Sequence, residues 1–559
     1  MTPASRRPAT AAPVIRFSKS AAWVLVFFLA AAALQWKNAV YRSSFGFHPD
    51  EPAHYVTGLM VYKYVTGGIP SNPMAFAERF YAHYPAVAFG HWPPAFYVLQ
   101  AGWEMAFGSS RLSVLLLLAL LAAVISKLLY DVLSPRYGRL TGASLALLFL
   151  AVPIVQQHTG SVMAEIPLTL FTFTTALSLS ALMRSPTKGR AFVFGVSLAL
   201  AILTKGDGWA LIALPFAAAF LSGQYRSAFR RHIIVPMLAV FACCLPVTLA
   251  TLRMTRDGWD QQTPSVQFFM HAMPSLARFH LMILGVPLAV LACVGVFAAV
   301  IRPRFRGRAV DSTLVCHAAL VGIVLLFHAV APTSLEARKL FMSIPSLIVL
   351  AAAGLESLTE TLRSRGHASV LPRACTAAIP GMIALGFVWQ PAFRPHADMR
   401  SAARQIAGQR ALDRTAVLVA AEALDEREEL SFVAEMADVE HANYNHAVIR
   451  AGKFMADSSW SGSGYRLSYA GAQSAGAALN RIPVSAIILS RTGNEAATPH
   501  SHLVEEVIAA DPDRWGLEMS YADPLRVELF CARMRAQKDV ELPAANLRRK
   551  LDRSFASAF

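Results

Sequence analysis

Pro93-Pro94-Ala95-Phe96-Tyr97-Val98-Leu99-Gln100-Ala101-Gly102-Trp103-Glu104-Met105-Ala106-Phe107 decides how this chain is threaded. The stretch is apolar enough to count as a membrane span, and counting it inverts every later loop. The surrounding sequence settles the choice. Of 559 residues, 55% are hydrophobic and 15% charged, and apolar runs near bilayer length recur up to about residue 390. Basic clusters punctuate them at Arg136/Arg139, Arg184/Lys188/Arg190, Arg226/Arg230/Arg231, Arg302/Arg304/Arg306/Arg308 and Arg363/Arg365. Cytoplasmic loops carry such an excess of Lys and Arg. All the clusters share one side only if 93–107 is an interfacial or re-entrant helix closing an outer loop of about 40–110.

This bookkeeping predicts an α-helical polytopic membrane protein of about eleven spans, near 20–39, 111–132, 139–157, 163–183, 190–204, 207–222, 231–252, 279–301, 311–331, 339–357 and 373–391. Arg6, Arg7, Arg16 and Lys19 before the run Ala21 to Trp36 fit an uncleaved first span with a cytoplasmic N-terminus. The short pair at 190–204 and 207–222 fits a broken or tilted hairpin. The net charge of +16 is explained by the loop clusters, so a nucleic-acid partner is not expected. Cys243, Cys244, Cys293 and Cys316 lie inside apolar runs, Cys375 near the start of another, and Cys531 alone in the polar C-terminal region, which is no disulfide scaffold.

From about residue 395 the composition changes, giving a transmembrane domain over 1–394 and a soluble α/β domain on the outer face over 395–559. Thr415 to Ala420, Val484 to Leu489 and Arg526 to Phe530 read as strands, and Glu426 to Asp438 and Ser501 to Ala510 as helices.

With this threading, unusual polar residues collect on the outer face. His48-Pro49-Asp50-Glu51-Pro52-Ala53-His54-Tyr55 opens the first outer loop, and His158 and Glu165 bracket the second. Lys205 and Asp207 are in the third, and Glu336, Arg338 and Lys339 precede the span at 339. Asp50 and Glu51 fit either a solvated turn between prolines or a general base beside a metal ligand, because like charges in a partly dry pocket split their pKa values. His48 and His54 are more often structural than metal ligands, with Asp50 and His54 the candidate pair for a divalent cation. Glu165 fits a favourable charge at a helix N-terminus or a second acid facing Asp50. Lys205, Arg338 and Lys339 fit interfacial anchors or, since positive charge on the outer face runs against the topological bias, an anion site. The aromatic and proline-rich loop containing His91, Trp92 and Tyr97 fits interface anchoring or the wall of a sugar and prenyl pocket.

Taken in order, Asp50-Glu51-Pro52-x-x-Tyr55, His91-x-Pro93-Pro94-x-x-Tyr97, Glu165-x-Pro167, Thr204-Lys205-Gly206, and Glu336-Ala337-Arg338-Lys339-Leu340 leading to Ile344-Pro345 resemble the integral-membrane glycosyltransferases of the C superfamily. The similarity is to bacterial relatives of protein O-mannosyltransferases and aminoarabinose transferases, over roughly residues 20–360. It implies inverting transfer of a sugar from a polyprenyl-phosphate carrier to a lipid, glycan or protein acceptor. The setting it implies is a bacterial inner membrane, with the active site and C-terminal domain facing the periplasm or exterior. Asp50 would be the principal catalytic carboxylate, with Glu51 beside it and Glu165 the second acid. Lys205, Arg338 and Lys339 would lie near the lipid phosphate, and Tyr55, His91 and Tyr97 would line the substrate site. Trp92, where charged variants occur in aminoarabinose transferases, and Lys339, where an aromatic is common, bear on donor and acceptor identity.

A transporter or flippase of lipid-linked saccharides would also bury charge in a helical bundle. It predicts internal repeats and charges strung along a path through the membrane. Here the charges gather at one face and no repeat is evident, which favours the enzyme. Joint retention of Asp50, Glu51, Glu165 and Lys205 argues against a degenerate scaffold.

Overall fold

A computed structural model describes residues 21–88, 90–255, 264–364, 373–390, 399–422, 427–457, 465–482, 484–491, 498–522 and 526–533. Among the described residues up to 390, the apolar runs expected as spans are helical. Six helices are long and apolar enough to cross a membrane: Arg111–Tyr137, Glu165–Arg184, Arg231–Arg253, Val266–Phe305, Ser312–Val330 and Ala337–Thr361. A seventh arises if Arg139–Ala151 and Pro153–Thr159, bent by 65°, form one span. The expected runs at Ala21–Lys37, Lys188–Thr204, Gly206–Ser222 and Arg373–Trp389 are shorter helices. The fold is therefore that of a multi-pass membrane protein, with fewer full-length crossings than the eleven expected from hydropathy. Proline explains part of the difference: Pro153 cannot continue the hydrogen bonding of the helix before it, and the chain bends there.

Residues 93–107 form the helix Ala95–Phe107, with Phe96, Tyr97, Gln100, Ala101 and Glu104 buried while Val98, Met105 and Phe107 are exposed. The buried stripe packs on the helix Asp50–Lys63, where Gln100 Nε2 donates to the Tyr55 carbonyl at 3.1 Å. A one-sided helix of this kind rests against the protein rather than standing alone in lipid. In the bundle, Val266–Val296 and Ile344–Ser364 cross with their backbones in contact at Gly295 and Gly354. A Cβ on either would collide with a carbonyl oxygen of the other helix, at Leu350 or Leu291. Small residues permit this approach where lipid supplies no hydrophobic drive for helix association.

The C-terminal domain contains strands β1 (Ala416–Ala421), β2 (Ala447–Arg450), β3 (Ala456–Asp457), β4 (Arg466–Leu467), β5 (Val484–Arg491), β6 (Trp515–Ala522) and β7 (Arg526–Ala532). Five of them make one sheet in the order β2-β1-β5-β7-β6, while β3 and β4 pair separately. β1 is parallel to β2 and β5, and β7 is antiparallel to β5 and β6. Burial of β1 on both faces accounts for its unbroken apolar sequence. Ala416, Leu418 and Ala420 join a core beneath the helices Ala472–Leu479 and Pro499–Ala510. Val417 and Val419 face the other way, into a core continuous with the membrane bundle through the helices Met399–Gly408 and Arg427–Val439. One face of the sheet thus shares the core of the membrane bundle, while the other has a core of its own.

Candidate active site

Asp50 is the first residue of the helix Asp50–Lys63, placed there by Pro49. Its Oδ2 lies 2.7 Å from Arg338 Nη1, and Arg338 Nε donates to Glu336 Oε2 at 2.6 Å. Arg338 belongs to the short 3-10 turn Ala337–Ser343, which extends into the helix from Ile344 and brings the guanidinium to the mouth of the bundle. Lys205 stands immediately before another 3-10 turn, Gly206–Ala213. Its ammonium donates to Glu165 Oε1 at 2.8 Å and is 3.7 Å from Asp207. Arg338 Nη1 is also 3.9 Å from Glu165 Oε1. The carboxylates Asp50, Glu165, Asp207 and Glu336 therefore share a cluster with Lys205 and Arg338. Lys339 forms no ion pair among the described residues.

Burial disfavours the charged form of Asp50, yet nearby His48 and Arg338 hold its carboxyl down at about 2. His48 is itself held below the usual imidazole range by burial, and its Nδ1 accepts from the Asp50 amide at 3.1 Å. His54 pairs through Nδ1 with the Tyr97 hydroxyl at 2.9 Å and lies against the Trp92 ring, 4.2 Å between centroids. His91 meets the other side of the motif with its ring edge-on to Trp92 at 4.4 Å. His54, His91, Trp92 and Tyr97 thus form one aromatic wall.

Two expected site residues face elsewhere. Glu51, fully buried, accepts from the amides of Gly46, Phe47 and Val162 at 3.1, 3.1 and 3.2 Å, with Arg111 Nη2 at 3.5 Å. It pins the loop that carries Asp50, with both of its oxygens engaged by these groups. Tyr55, also fully buried, donates its hydroxyl toward the Ser109 carbonyl (2.7 Å) and Asp438 Oδ1 (2.8 Å), at the seam with the C-terminal domain. Position along the helix fits both departures: at about 100° per residue, Glu51 and Tyr55 lie well round the helix from Asp50.

The proposed Asp50 and His54 metal pair does not fit a cation. Among the described residues no group of three or more His, Cys, Asp or Glu side chains is placed to hold one. Asp50 is taken by Arg338, and His54 by Tyr97. Arg111, not singled out in the sequence, is the main support of the loop. Its guanidinium donates to the carbonyls of Ser43 and Val40 at 2.7 and 3.1 Å. An arginine heading an apolar run on the face without basic clusters was the signal.

The bundle of membrane helices and its packed α/β cap together match the folds of two solved proteins. Residues 91–249 match the family of dolichyl-phosphate-mannose-protein mannosyltransferases. ArnT from Cupriavidus metallidurans, crystallised bound to undecaprenyl phosphate, superposes with a TM-score of 0.55 at 14% identity, covering 93% of this chain and 100% of that one. The oligosaccharyltransferase of Archaeoglobus fulgidus, in complex with zinc and sulfate, superposes with a TM-score of 0.52 at 12% identity, covering 93% of this chain and 74% of that one. No curated protein matches the sequence.

Proposed function

We propose that the protein is an inverting glycosyltransferase that moves a sugar from a polyprenyl-phosphate carrier to a lipid, glycan or protein acceptor on the outer face of the membrane. The observation that carries this reading is the Asp50–Arg338 contact of 2.7 Å, with Lys205 held by Glu165 at 2.8 Å nearby. In a single displacement, an acceptor hydroxyl or amine attacks the anomeric carbon while the bond from that carbon to the phosphate oxygen breaks. The bonding pair leaves with the polyprenyl phosphate, and the acceptor's proton passes to a base, with inversion. Arg338 and Lys205 offset the charge growing on the departing phosphate.

At about 2, the Asp50 carboxyl is a weak base in the resting cluster. Arg338 Nη2 has no hydrogen-bond partner among the described residues, and a phosphate there competes with Asp50 for the guanidinium. Donor binding then weakens the cation's hold on Asp50, whose basicity rises when the acceptor needs it. The order this implies is donor first, acceptor second.

The lipid and glycan profile of a strain lacking the protein tests the reading: a missing sugar together with accumulated polyprenyl-phosphate sugar names acceptor and donor. An unchanged profile, with purified protein that transfers no sugar from undecaprenyl-phosphate sugars in vesicles, overturns it.

A further inference from the structure

Among the described residues, two buried hydrogen-bond acceptors beside the ion-pair cluster have no donor. Glu165 is 2% exposed and gives Oε1 to Lys205, while its Oε2 has no hydrogen-bond partner. His158 is 3% exposed; its Nδ1 lies 2.9 Å from the Ile154 carbonyl, so it carries the proton, and Nε2 is a bare lone pair with no partner. Its ring is fixed between Phe47 and Phe341, at centroid distances of 5.9 and 4.9 Å. Phe47 follows the loop pinned by Glu51, and Phe341 is in the same turn as Arg338. His158 and Glu165 are within electrostatic reach of each other and of Arg338.

Burying an acceptor without a donor costs on the order of 1–3 kcal/mol. Two of them beside a cluster of cations call for a ligand rich in N–H or O–H groups. Neither residue can satisfy the other, since a carboxylate oxygen and an unprotonated imidazole nitrogen both lack a proton. A polyprenyl phosphate has no such donors, whereas a sugar ring is lined with them. We infer that Glu165 Oε2 and His158 Nε2 bind hydroxyl or amino groups of the transferred sugar, making His158 a specificity-determining residue. This rests on the proposed glycosyl transfer. It adds that recognition of the sugar, separately from the carrier, runs through the turn between Pro153 and Glu165.

The experiment compares full-length protein binding to undecaprenyl phosphate with its binding to undecaprenyl-phosphate mannose, glucose or 4-amino-4-deoxyarabinose, using the sugar bound most tightly. His158→Phe should weaken the sugar-charged lipid about tenfold and leave the bare lipid unchanged, because one hydrogen bond is lost and the phosphate contacts remain. His158→Gln, which keeps an acceptor at a similar reach, should recover most of the loss. A purely structural histidine would weaken both lipids together. Equal binding of the sugar-charged lipid by wild type and His158→Phe overturns the inference while leaving the glycosyltransferase reading intact. Failure of wild type to bind any of these lipids overturns both.

Discussion

At the scale of single residues, the helix start at Asp50 sends two adjacent carboxylates into opposite roles. Asp50→Asn should lower sugar transfer about a hundredfold or more while the protein still inserts and folds, since a base contributes on that order. Near-normal turnover in purified protein would remove Asp50 from the mechanism. Glu51→Gln should act on stability instead. It leaves the buried Arg111 guanidinium without its carboxylate, a loss of about 3 kcal/mol visible as a lower Tm in detergent. For the proposed phosphate contacts, Lys205→Ala or Arg338→Ala should weaken donor use roughly thirtyfold, a charge-assisted contact being about 2 kcal/mol. Arg338→Lys should restore only part of this if the contact is bidentate. Unchanged donor affinity and turnover in both alanine variants would reduce these residues to interfacial anchors.

At the scale of elements, the helix Arg427–Val439 latches the loop that carries Asp50. Glu435 Oε1 accepts from the Phe45 amide at 3.0 Å, and Ser431 Oγ donates to the Phe45 carbonyl at 2.5 Å. Asp438 gathers the Tyr55 hydroxyl, the Arg111 amide and Arg400 at 2.8, 2.8 and 2.9 Å. Burial raises the Glu435 carboxyl from 4.5 to about 7, against the opposing pull of Arg111 and Arg400 and with help from Asp438. The folded state therefore holds this proton more tightly than the unfolded chain. The associated stability is fully present below pH 4.5 and is lost as pH rises through about 7. Proteolysis of the loop and cap, followed from pH 5 to 8, should quicken at the upper end in wild type and flatten in Glu435→Gln. A parallel pH response in both would show that Glu435 does not titrate here. The strands β1, β5 and β7 were legible within two residues because their apolar runs are buried. β6 was not: Trp515-Gly516-Leu517-Glu518-Met519-Ser520-Tyr521-Ala522 carries a glycine and an irregular register that blur its alternation. The predicted helix from Glu426 starts at Arg427, with Glu426 outside the described residues.

For the whole molecule, the basic clusters predict that a reporter fused after Arg306 reads cytoplasm, while fusions near Gly68 and after Ala420 read the outer side. If the Gly68 and Arg306 fusions share a side, the threading is wrong. Among the described residues, six helices have the length and hydropathy of a full span without counting the bent pair. The sequence by itself determined the membrane class, the positions of the apolar helices, the presence of a helix within 93–107 and the set of unusual charged residues. Hydropathy and charge are sums over neighbours in the chain, so composition and periodicity carry them. Only the tertiary structure decided which charges meet. Asp50 and Arg338 are 288 positions apart, Lys205 and Glu165 are 40 apart, and Tyr55 and Asp438 are 383 apart. Such pairings leave no local trace, because burial forces each charge to find a partner without specifying which one. The same physics turned Glu51 away from the site: a carboxylate surrounded by three backbone amides and an arginine is satisfied where it lies.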